Sequence, residues 1–217
     1  MDESIQNEIR EIKKSFRLSM NGVVSTLQRR QGLDYKINFG VEVPRLKGIA
    51  EGHSKNTELA TALWQDNIRE CKMLAIFLMP KEGYSDVAEK WIGETRFTEI
   101  ADQLAMHILC HLPDAAEKAL QWIRHDEEMF RYCGYRTISH LLRRGVIFSK
   151  QQEESFYDSL VGMPDGELSV TAKCAHNAVM NYMDYTAGAA IRLREAIEKS
   201  DSDAIMLKAL LESFDKE

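Results

Sequence analysis

The chain has 217 residues, enough to bury a sizeable core, and its 44% hydrophobic and 29% charged residues give the balance of an ordinary globular protein. A net charge of −6 argues against a strongly non-specific polyanion binder, although it leaves room for a local basic face. No stretch approaches the roughly 18 consecutive apolar residues of a membrane span, and the start MDESIQNEIREIKK lacks the basic opening and apolar middle of a signal peptide, so a cytoplasmic protein without a membrane partner is expected.

Apolar periodicity predicts helices near 2–20, 22–32, 44–52, 56–66, 67–80, 84–94, 96–111, 114–125, 127–144, 150–161, 167–186, 188–199 and 202–215. Only KINFGVEV, from Lys36 to Val43, alternates weakly and reads as extended. Pro44, Pro80, Pro113 and Pro164 all fall between periodic segments. Expected helix starts include Asp114-Ala-Ala-Glu117 and Ser149-Lys-Gln-Gln152, where a side-chain acceptor is followed three residues later by a group that can reach back. Gly83, Gly145 and Gly162 are expected stops, each able to close a last turn in the left-handed region. Pairs near 56–80, 84–111, 114–144 and 150–186 recur at the rough spacing of HEAT-type repeats. The prediction is an all-α, HEAT-like helical-repeat α-solenoid forming one domain over 1–217, with the second helix of each pair lining a concave rim.

Cys71, Cys110, Cys133 and Cys174 stand far apart, form no CxxC pair, and read as reduced core thiols. His107 and His111 have ligand-like spacing, but no third ligand follows at a recognisable interval, so neither a metal nor a cofactor is expected. Trp64, Trp91 and Trp122 lie on or beside apolar stripes and read as core. A Gly-rich phosphate loop and a GxSxG elbow are both missing, which leaves kinase and hydrolase readings without a foothold.

One carboxylate draws the functional question. In RFTEIADQLAMHI, from Arg96 to Ile108, the residues Phe97, Ile100, Ala101, Leu104 and Ile108 make an apolar stripe, and Asp102 lies well off it. Taken alone, that placement is what any solvated helix face shows.

Three stretches give it more weight: FGVEVPRLKGIAE from Phe39 to Glu51, ELATALWQDNIRECKMLAIFLM from Glu58 to Met79, and KWIGETRFTEIADQLAMHI from Lys90 to Ile108. In this order, continuing less clearly to about Tyr185, they resemble the bacterial DNA alkylation repair glycosylases of the AlkD-like, HEAT-repeat type. The resemblance implies excision of cationic alkylated purines, such as 7-methylguanine or 3-methyladenine, from duplex DNA without drawing the base into a pocket. A cationic base already leaves easily, the sugar becomes oxocarbenium-like, and a neighbouring carboxylate stabilises it. The family's aromatic-aspartate-x-x-aspartate pattern puts its second aspartate on Asp102 and its first on Glu99, so Asp102 is the implied catalytic carboxylate and Glu99 its support.

The family also cradles the lesion between tryptophans. Here Phe97 and Thr98 occupy the first tryptophan region, and Asn177 in AKCAHNAVMNYM occupies the second. MFRYCGYR puts Tyr132 or Cys133 near the phosphate-binding arginine, with Arg131 and Arg136 as displaced substitutes. The implied substrate-binding set is therefore Phe97, Tyr132, Asn177, Arg131 and Arg136. Lys13, Lys14 and Arg17, then Arg29 and Arg30, then Arg45 and Lys47, then Arg143 and Arg144, are local basic clusters able to meet phosphates. The alternative is a non-catalytic helical-repeat scaffold for a protein partner; a repair enzyme should gather basic groups around Asp102, whereas a scaffold should show an apolar or acidic groove there.

Overall fold

The computed structural model describes residues 2–161, 169–199, 207–208 and 211–212. Its helices follow the apolar periodicity: α1 (Glu3–Leu18), α2 (Gly22–Arg30), α3 (Val43–Glu51), α4 (Thr57–Gln65), α5 (Arg69–Leu78), α6 (Tyr84–Gly93), α7 (Thr98–His107), α8 (Ala115–Trp122), α9 (Glu128–Arg143), α10 (Lys150–Val161), α11 (Val170–Tyr185) and α12 (Ala189–Lys199). The described residues contain no strand, and the stretch before α3 contributes only an isolated parallel bridge between Ile37 and Ile68. The stop expected at Gly162, the break at Pro164 and most of the helix expected near 202–215 lie outside the described residues. Among those residues no helix is long and apolar enough to cross a membrane.

Two of the expected punctuation marks need correction. Gly83 does not end a helix. Pro80 stops α5, and Gly83 then closes a 3-10 turn, Lys81–Gly83, that runs straight into α6 without a positive φ. Asp114 precedes α8, but with φ −110° and ψ 31° its backbone is outside the extended region that folds a capping side chain over the first turn, and it makes no cap bond. By contrast Ser149 and Gln152 form the expected reciprocal pair, Gln152 N to Ser149 Oγ at 3.3 Å and Ser149 N to Gln152 Oε1 at 2.8 Å. Gly145, at φ 79°, closes α9 as expected.

Contacts group the chain into two compact units, Met1–Lys90 and Trp91–Glu217. In the first, Ile5, Ile9, Ile12 and Phe16 give α1 one buried face, and α1 packs on α4, α4 on α5 and α5 on α3. Trp64 is fully buried there. A buried ion pair fixes the segment before α3: Glu70 Oε1 accepts from the Val41 amide at 3.2 Å and from Arg69 Nη1 at 3.2 Å, and Oε2 accepts from the Phe39 amide at 3.2 Å. Arg69 Nη1 also donates to the Val41 carbonyl at 2.8 Å. Between these anchors Gly40 sits at φ 70°, and a Cβ there would overlap the Asn21 carbonyl oxygen.

The second unit has two rows of helices. α9 packs between α7 and α11, and α10 between α8 and α12, the alternation expected when helix pairs stack repeat upon repeat. α9 is the centre of this unit, burying Phe130, Tyr132, Cys133, Tyr135, Ile138 and Leu142. Gly134 lets it lie close to α8: a Cβ at that position would stand 2.7 Å from the Ile123 side chain and 2.9 Å from the Ala119 carbonyl. Trp91 and Trp122 are core residues, and all four cysteines are buried free thiols, as expected.

Candidate functional site

The rows place α7, α9 and α11 side by side, so side chains far apart in the chain meet on their shared face. Asp102, in the middle of α7, has a side chain 34% exposed. Its Oδ1 accepts a hydrogen bond from the Tyr132 hydroxyl at 2.8 Å and stands 2.7 Å from Arg136 Nε. The second contact is an ion pair rather than an aligned hydrogen bond. Oδ2 has no hydrogen-bond partner among the described residues. One oxygen of the carboxylate is thus held and the other is available.

Tyr132 and Arg136 converge because they are four apart on α9 and so share a face. Tyr132 is buried, and burial, followed by the charge of Asp102, drives its phenol well above the ordinary range. It therefore stays a neutral donor to the carboxylate. Cys174 on α11 lies behind it, with its thiol directed at the Tyr132 carbonyl at 3.8 Å. Burial pushes this thiol up to about 12 against the opposing effect of Arg136, so it is not a thiolate nucleophile. Asp102 is the anionic group of the cluster.

The remaining expected residues fall differently. Arg131, one residue off the Tyr132–Arg136 face, donates through Nη1 to the carbonyls of His125 at 2.8 Å and Asp126 at 2.5 Å, tying down the turn before α9. Phe97 is the half-buried N-cap of α7 rather than an interior helix residue, and Glu99 lies in the first turn, also half-buried. Asn177 is exposed on α11, where its carbonyl accepts from Asn181 Nδ2 at 2.7 Å. Asp102, Tyr132 and Arg136 are brought into contact; no contact joins Arg131 or Asn177 to Asp102. Among the described residues no group of three or more His, Cys, Asp and Glu is arranged to hold a metal.

His140 belongs to this face and escaped the sequence reading, although the spacing Tyr132, Arg136, His140 is a plain i, i+4, i+8 series. Its Nε2 is buried without a hydrogen-bond partner. Burial, then the charges of Arg136 and Arg143, pull it down to about 4, opposed by Asp102 and reinforced by Arg144. Arg136 stands beside Asp102, while Arg143 and Arg144 act on His140. Because the folded protein disfavours His140 protonation, the unfolded chain binds the proton first. The stabilisation is complete above about 6.5 and is lost as pH falls towards 4. Melting temperatures measured across that window should fall with pH in the native protein and fall less in His140→Gln, which cannot titrate.

A family model described as "DNA alkylation repair enzyme" matches residues 28–200. No curated protein sequence matches the chain. Among solved structures the chain is similar to one described as "a new family of proteins related to the HEAT-like repeat DNA glycosylases with affinity for branched DNA structures", with a TM-score of 0.73 and 17% identity, covering 95% of this chain and 94% of that one. The likeness shows the fold, an all-α HEAT-like helical repeat, as predicted.

Proposed function

This chain belongs to the DNA alkylation repair enzyme family, and from that premise we propose that it excises cationic alkylated purines from duplex DNA, with Asp102 as its electrostatic centre. The observation that carries this reading is the half-held carboxylate. Tyr132 and Arg136 fix Oδ1, and Oδ2 is left to face a developing positive charge. As the bond between C1′ and the purine nitrogen breaks, its electron pair passes to the base, which leaves neutral, and the sugar acquires the positive charge. Oδ2 stabilises that charge. Water then adds to C1′ and gives up its proton to the carboxylate or to solvent. Arg136, beside the carboxylate, is placed to take a backbone phosphate.

A second reading is favoured by one observation. Phe97 with Thr98, and exposed Asn177, stand where the family's stacking tryptophans are expected, so the cradle for a cationic base is reduced. On this reading the protein binds DNA without cutting the glycosidic bond, as a relative of proteins described by their affinity for branched DNA. Release of 7-methylguanine and 3-methyladenine from methylated duplex, under enzyme excess at low salt, distinguishes the two. Excision that disappears in Asp102→Asn supports the first reading. DNA binding without excision by the native protein supports the second.

A further inference from the structure

α2 is attached to its unit the wrong way round for a surface helix. Its inward side carries half-buried Val24 but is otherwise held by polar contacts: Ser25 Oγ donates to the Asn38 carbonyl at 2.8 Å, Gln28 Oε1 accepts from Asn38 Nδ2 at 2.9 Å, and the Asn21 amide just before the helix donates to the Phe39 carbonyl at 2.9 Å. None of its residues is buried. Two of its three apolar side chains face solvent: Val23 is 81% exposed and Leu27, one turn on, 54%, with Leu18 at 81% and Met20 at 63% in the chain entering the helix. An amphipathic helix that turns its apolar side outward has a face made for something else.

The surrounding charge says what that is. From Ile12 to Leu33 the chain carries Lys13, Lys14, Arg17, Arg29 and Arg30 and not one Asp or Glu, within a protein of net charge −6. Lys13 is paired with Asp66 at 2.8 Å and Lys14 lies 3.7 Å from Glu11, but no described residue forms an ion pair with Arg17, Arg29 or Arg30. Arg45 joins them, donating from Nε to Ser19 Oγ at 3.2 Å in the link between α1 and α2. Exposed aliphatic side chains rimmed by uncompensated arginines match a polyanion with an opened apolar interior. DNA offers that combination where its base stack is interrupted, with phosphates on the outside and unstacked base faces between them.

We propose that the outward face of α2 and the link before it form a wedge for branch points in DNA. Val23, Leu27, Met20 and Leu18 cover the open base step, and Arg17, Arg29, Arg30 and Arg45 take the flanking phosphates. The wedge rests on the DNA-binding reading above but not on excision, since it shares no residue with the Asp102 cluster. A lipid surface fits less well, because a helix of 9 residues with two apolar side chains outward buries little in a bilayer.

The test compares a four-way junction with a linear duplex of the same arm sequences, by fluorescence anisotropy over a salt series. The double variant Val23→Asp/Leu27→Asp should weaken junction binding about tenfold or more while moving duplex binding by no more than about twofold. Arg29→Ala/Arg30→Ala should weaken both and lower the salt slope by about two. All four positions are exposed, so thermal melts should match the native protein and exclude misfolding. An unchanged junction-to-duplex ratio, or no junction binding by the native protein, overturns the wedge. So does a loss confined to binding of phosphatidylserine vesicles, or to self-association. The wedge variant should still release 7-methylguanine at the native rate, whereas Asp102→Asn should keep the junction preference. Absence of excision in every variant would therefore count against the Asp102 reading and leave the wedge result legible.

Discussion

Asp102→Asn is expected to lower 7-methylguanine release by about 10²–10³-fold, the usual scale for removing one preorganised charge-stabilising group. The substitution preserves shape. An asparagine carbonyl can still accept from the Tyr132 hydroxyl and lie beside Arg136, so α7 and α9 keep their contact. What it removes is the negative charge, and with it the only group in the cluster that attracts an oxocarbenium ion. It also leaves Arg136 uncompensated, which repels the cationic sugar while attracting phosphate. The loss should therefore appear in the single-turnover rate, with DNA affinity unchanged or higher. A variant that binds DNA poorly and cleaves at the native rate would show Asp102 to be a structural residue.

Glu70→Ala should have the largest effect on stability. Arg69 is 2% exposed and Glu70 fully buried, so truncating the acid takes the carboxylate from a buried guanidinium and removes the acceptor from the Val41 and Phe39 amides. Breaking a buried pair from one side costs about 3–5 kcal/mol, far more than the pair contributes relative to apolar residues of the same shape. Urea unfolding followed by the fluorescence of Trp64, buried in the same unit, measures it. A change below about 1 kcal/mol would mean that water reaches Arg69 in the variant.

The sequence made the helices legible because each buried face repeats at the helical period, as in Ile5, Ile9, Ile12 and Phe16 of α1. Local chemistry was legible where it is self-contained. Ser149 and Gln152 bond each other's backbone within one turn, and Gly145 needs only its own φ. Asp114 and Gly83 failed because their conformations are set by what comes before them, Leu112–Pro113 and Pro80. The candidate site was half legible. Family resemblance pointed to Asp102, and to Tyr132 and Arg136 among others, but it did not choose between Arg131 and Arg136; the four-residue step from Tyr132 does. It also gave Tyr132 to the substrate, whereas its hydroxyl holds the carboxylate. The Arg69–Glu70 clamp left no periodic trace, because its partners are backbone groups some thirty residues earlier in the chain.

The polar attachment of α2 has a thermodynamic consequence. Docking that helix removes little hydrocarbon from water, so its release should change the heat capacity very little, unlike the release of α9, which carries the core of its unit. Its docking strength is consequently set by a few hydrogen bonds and varies weakly with temperature through the hydrophobic effect. Hydrogen exchange is expected to find its amides opening well below the free energy of global unfolding. A helix held so lightly can adjust its angle to whatever it meets without disturbing the packing beneath it.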